Sequence, residues 1–111
     1  MSKRVLITAN IHPYLQNKFE TLGYAVDVKE EIERSELLAI IDTYNILIIT
    51  TYTKVDKELI NKARNLKIVG RVGSGMENVD IAYCESKNIV CVNSPEGNGN
   101  AVGEHCLAML L

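Results

Sequence analysis

The chain has 111 residues, 47% hydrophobic and 23% charged, with a formal net charge of −2. That length suits one domain with its own core, and the composition is that of an ordinary globular protein rather than a disordered one. With no basic surplus to displace phosphate counterions it is not expected to bind nucleic acid, and no apolar run reaches the length of a bilayer span.

The N-terminus is not a signal peptide, because Asn10 and His12 interrupt its short apolar run. Residues 4–9 form a β-branched run that predicts a strand. Leu15, Phe19 and Leu22 then recur at helical spacing, with Gly23 as the stop. Residues 24–28 are a weaker strand candidate, and residues 35–42 a short helix with Ser35 as its N-cap. The most apolar strand candidate is 45–50, followed by a helix over 56–65 capped by Asp56. Residues 66–72 predict a strand, 80–88 a helix capped by Asp80, 89–94 a fifth strand, and 100–111 a further helix.

Strands that alternate with helices and are mostly continuous in apolarity predict an α/β fold. It is an open parallel sheet of about five strands with helices on both faces, flavodoxin- or Rossmann-like. The helix at 106–111 has no closing Gly, Pro or basic residue and is apolar on nearly every side. It reads as a helix buried between two bodies, in a polypeptide that continues past Leu111. Cys84, Cys91 and Cys106 show no CxxC spacing, so they are expected to be small buried hydrophobes in a reducing cytoplasm. Neither a disulfide framework nor a zinc site is expected.

In such a sheet, ligands bind outside the carboxyl ends of the strands. Four loops leave that edge, at 10–13, 50–53, 73–78 and 93–98. None supplies a coherent acid–base pair, so the edge reads as a binding surface. The Gly73–Ser74–Gly75 segment invites a dinucleotide reading. Asn78 stands where a third glycine belongs, however, and Asp80 starts the helix late. The expected acid would be Glu96, in a loop rather than at a strand end. The fingerprint is rejected. Two readings stay open: a concavity of backbone N–H groups for a carboxylate, with Ser74 adding a hydroxyl, or a sharp turn only.

Arg71, just before this loop, is expected to be a surface or sheet-end charge, while Asn78 and Asp80 organise the turn and cap the next helix. Glu104 and His105 are adjacent on a helix and project apart, so they make no catalytic dyad. His12 reads as structural or solvent-facing, and two histidines without HxxxH or HxH spacing give no metal site.

Residues 66–111 resemble D-isomer-specific 2-hydroxyacid dehydrogenases, especially the phosphoglycerate-dehydrogenase-like members. The resemblance rests on Leu66–Lys67 opening a strand, then Arg71, Gly73, Gly75 and Asn78–Val79–Asp80. It continues through Asn93–Ser94–Pro95 and a helix carrying Ala101–Val102 and Glu104–His105. Residues 53–67 add support, and the rest matches mainly in element order. The resemblance implies that residues 1–111 are the N-terminal portion of a flavodoxin-like substrate (catalytic) domain, ending in the first interdomain helix at about 100–111. The coenzyme domain and the family's catalytic Arg, Glu and His would lie beyond, so the piece alone is expected to show no turnover.

Carried over, the resemblance assigns substrate-carboxylate binding to the Gly73, Ser74 and Gly75 amides, a pocket-floor role to Asn93, and substrate-binding positions to Thr50 and Thr51. Ser74, Asn98 and Val102 would approach the coenzyme, NAD, with the choice between NAD and NADP made elsewhere. A homodimer and a small 2-hydroxy or 2-oxo acid are the implied partners. Thr50–Thr51 stands where phosphoglycerate-type members often carry Arg-Ser, and threonine cannot supply a guanidinium's charge to a phosphate. The alternative from a different class is a non-catalytic α/β binding or regulatory module, a corepressor-like relative. The coding sequence past Leu111 would separate the two readings.

Overall fold

Strand and helix alternate through the computed structural model, which describes residues 3–8, 13–50, 52–72 and 76–94. The elements are β1 (Lys3–Ile7), α1 (Pro13–Thr21), β2 (Tyr24–Val28), α2 (Arg34–Ile40), β3 (Ile46–Ile49), α3 (Lys57–Lys62), β4 (Ile68–Val72), α4 (Ile81–Ser86) and β5 (Val90–Ser94). A 3₁₀ turn, Ile41–Thr43, follows α2. The strands form one parallel sheet in the order β2-β1-β3-β4-β5. Chain direction across the sheet reverses between β1 and β3, so a crevice opens there at the carboxyl edge.

The apolar runs follow from burial on both faces. Val5, Ile7, Ile46, Ile48, Ile68 and Val92 point to one face, where they pack with Leu15 and Phe19 of α1. Leu6, Leu47, Ile49 and Val69 point to the other, under Leu37 of α2, Leu59 and Ile60 of α3 and Cys84 of α4. Every residue of β3 is buried, as expected of a central parallel strand.

Asp56 and Asp80 cap as their sequence context predicts, accepting from the backbone N–H groups of Leu59 and Tyr83, each at 3.1 Å. Ser35 does not. The N-cap of α2 is Glu33, without a side-chain bond, and Ser35 lies inside the helix. The first turn closes two residues early because the Leu37 N–H donates to the Glu33 carbonyl at 2.9 Å. Arg34 is thereby carried to Asp56, 2.7 Å away. Gly23 ends α1 at φ +93°, a conformation that side chains rarely adopt. No helix among the described residues is long and apolar enough to cross a membrane. The helix expected at 100–111 lies outside the described residues.

Candidate functional site

The carboxyl edge is built from neutral polar side chains at strand ends. Thr8 follows β1, its N–H donating to the Ile48 carbonyl at 2.9 Å, and its hydroxyl meets that of Thr53 at 3.0 Å. The crevice between β1 and β3 is thus bridged by two threonines. Arg71 pairs in register with Ile49 on one side and Asn93 on the other, so the Arg71 and Asn93 side chains share a face.

Two loops at this edge are joined to each other. The Asn78 side-chain amide donates to the carbonyls of Thr50 (3.0 Å) and Thr53 (2.6 Å). Backbone bonds extend the join: Val55 N–H to Asn78 O and Asp80 N–H to Val55 O, both 2.8 Å. Val55 and Val79 form an isolated parallel bridge. Asn78 is therefore a clamp between loops rather than a cap on α4. Its side-chain oxygen is buried and has no hydrogen-bond partner among the described residues.

Arg71 corrects the expectation of a surface charge. It is 3% exposed, and its guanidinium reaches Glu77 at 3.4 Å. The physical reason is local: residue 71 points to the same face as Val69, beneath the turn where Glu77 leans back over β4. Glu77 itself is largely exposed. Its own backbone N–H, and then the Arg71 guanidinium, hold its carboxyl below the ordinary value. The pair links the end of β4 to residue 77, one on either side of residues 73–75 in the chain.

Of the residues assigned from sequence, Thr50 and Asn93 stand at the ends of β3 and β5 on this edge. Gly73, Ser74, Gly75, Thr51, Asn98 and Val102 lie outside the described residues, as do His12, Glu96, Glu104, His105 and Cys106. Sequence reasoning placed Thr53 in an edge loop but missed its partner Thr8, whose only signal was a hydroxyl near the end of an apolar run.

A cavity lies beside this edge, between α2 and the β3–α3 loop. It measures about 780 Å³ and is lined by Glu31, Arg34, Tyr52, Lys54 and Asp56 among others. Arg34 is already bound to Asp56 and Glu58 at 2.7 and 3.1 Å. Thr53 lines this cavity too, so it adjoins the strand ends and their cross-linked loops.

Comparison with known proteins places residues 5–108 under the family model "D-isomer specific 2-hydroxyacid dehydrogenase, catalytic domain". A D-3-phosphoglycerate dehydrogenase of Archaeoglobus fulgidus is 37% identical over 108 residues, covering 97% of this chain and 20% of the relative. One from Synechocystis is 41% identical over 86 residues, 78% of this chain and 16% of the relative. The chain therefore spans about a fifth of the length of these relatives. Among solved structures, the NAD+-bound 3-phosphoglycerate dehydrogenase of Entamoeba histolytica superposes with a TM-score of 0.76. It is 25% identical, and the match covers 99% of this chain and 38% of that one.

Proposed function

Since the chain belongs to the D-isomer specific 2-hydroxyacid dehydrogenase family, we propose that it supplies the substrate-carboxylate wall of an NAD-dependent oxidoreductase acting on a small D-2-hydroxy acid. The observation that carries this reading is that both flanks of residues 73–75 are pinned: Arg71 pairs with Glu77, and Asn78 is fastened to Thr50 and Thr53. A segment held at both flanks can keep backbone N–H groups aimed at one point. Fixed donors of that kind bind a carboxylate without reorganising and so orient the adjacent C2 carbon.

NAD, when bound, supplies the hydride acceptor at C2. The neutral polar edge formed by Thr8, Thr50, Asn78 and Asn93 fits a nicotinamide, since it brings no unpaired charge against it. Ser74, Asn98 and Val102 are the residues of this chain that would face the coenzyme. In this reading Asn93 shapes the pocket floor, and Thr50–Thr51 offers the substrate hydroxyls rather than a cation. An unphosphorylated 2-hydroxy acid suits those hydroxyls, and 3-phosphoglycerate is the other candidate, by likeness to the relatives' names. The complete enzyme works in the cytoplasm as a homodimer.

In the complete enzyme, Gly75→Val should raise substrate KM by about tenfold or more, a loss of about 1.4 kcal/mol. Coenzyme affinity, followed by nicotinamide fluorescence, should stay nearly unchanged. Unaltered substrate affinity would remove the loop from the site.

A further inference from the structure

Away from the carboxyl edge, two thiols share one packed cluster between α4 and β5. Cys84 lies in the last turn of α4 with 0% exposure, and Cys91, the second residue of β5, is partly buried. The sheet register sets Leu6, Leu47, Val69 and Cys91 in one row. That row faces α2, α3 and α4, within the packed cluster that also holds Cys84. Residues 87–89 return the chain from helix to strand, and the Ile89 N–H donates to the Cys84 carbonyl at 2.9 Å, folding β5 back beneath α4. Both cysteines are free. The neighbouring Cys91 side chain, and then burial, push the Cys84 thiol up, while the neighbouring Cys84 side chain holds Cys91 below its ordinary value against burial, which raises it.

We propose that Cys84 and Cys91 are a redox-active dithiol that closes to an internal disulfide by exchange with a low-molecular-weight disulfide, Cys91 attacking and Cys84 resolving. The roles follow from access: Cys91 is open to a small reagent and Cys84 is sealed in the core. In the first step the Cys91 thiolate sulfur attacks one sulfur of the reagent. The reagent's S–S bond breaks, and one half leaves as a thiolate that takes up a proton. Cys84 then releases its proton to water, and its sulfur attacks the Cys91 sulfur of the mixed disulfide. The second half of the reagent leaves as thiolate and takes up a proton. Two protein thiols lose two electrons in all, and one reagent disulfide gains them to become two thiols. Thiolate character and access govern the first step. Cys84's burial makes the second the slower one.

The closed pair would tie the end of α4 to the sheet. The helix begins at Ile81, capped by Asp80 and just after the clamp residue Asn78, so the bond would stiffen the element next to that clamp.

The test is to incubate the folded full-length protein with oxidised glutathione, alkylate the remaining thiols, and digest with trypsin and a glutamate-specific protease. Lys87 separates Cys84 from Cys91, and Glu96 and Glu104 separate Cys91 from Cys106, so each bridge gives a distinct peptide pair. A Cys84–Cys91 crosslink two hydrogens lighter than its parts, reversed by dithiothreitol, is expected. Cys84→Ala should stop at a glutathione adduct on Cys91, and Cys91→Ser should leave Cys84 unmodified. A stable Cys91 adduct without a bridge in the native protein would overturn the proposal. So would a bridge to Cys106, unreacted thiols, or a Cys84–Cys91 bridge that forms only in urea.

Discussion

At the scale of single residues, Asn78 is the position whose loss should be felt furthest. Its amide fills two backbone acceptors on a neighbouring loop. Asn78→Ala leaves both carbonyls to find water, and should cost about 1–3 kcal/mol in urea denaturation. Asn78→Asp should cost more, because a carboxylate would face two carbonyl oxygens with no proton to share. Either change should also weaken substrate binding in the complete enzyme more than coenzyme binding. Equal stability of all three proteins would mean that the clamp carries no load. Asn78 was visible in the sequence as a turn residue, but its partners were not: Thr50 and Thr53 lie more than twenty positions away, and only the sheet register brings them close. Arg71 was misread for a related reason. A cation in an apolar strand is usually at an end, and its burial here depends on Glu77 six residues later reaching back across a turn.

At the scale of elements, the order and type of every described strand and helix are legible, because each has its own periodicity and stop. Asp56 and Asp80 announce their helices, since a capping carboxylate acts within one turn and needs no distant partner. Ser35 carries the same local signal, yet the helix starts before it. The difference is measurable. Asp80→Ala should destabilise by about 1 kcal/mol, whereas Ser35→Ala should change stability by only about a few tenths. A cost at Ser35 matching that at Asp80, read from urea midpoints, would contradict the cap assignment. Helix ends were less legible than starts: α2 and α3 finish earlier than their apolar patterns suggest, and tighter turns take over at Ile41–Thr43 and after Lys62.

For the whole molecule, the amino-terminal edge of the sheet holds a polar junction that ties β1, β2 and the approach to β3. Arg4 donates to Asp27 at 2.8 Å, and the Tyr44 hydroxyl donates to the same carboxylate at 2.5 Å. Burial, then the Asp27 carboxylate, pushes Tyr44 up to about 12. A phenol whose folded value is raised contributes stability that is complete below its unfolded value, about 10, and is lost as pH climbs toward the folded one. Asp27 has the opposite sign. The Tyr44 hydrogen bond lowers it, so its contribution is present above the ordinary carboxylate value and fades as pH falls through the folded one. Tyr44→Phe should therefore flatten the stability profile between about pH 10 and 12 and reduce the loss on the acid side as well. A thermal-melt series across pH with the two proteins running parallel would dismiss the junction as a pH-dependent support.

The parallel bridge between Val55 and Val79 has a further consequence, for the lengths that these loops can take. Loops on strand ends ordinarily absorb extra residues with little penalty, since each hangs free of the others. Here one loop is stitched to the next on both sides of the bridge. A residue inserted between Thr53 and Val55 would slide Val55 out of step with Val79, and one inserted between Asn78 and Asp80 would do the reverse. Only a matched pair of insertions would keep the stitch, so the two loops can change length only together.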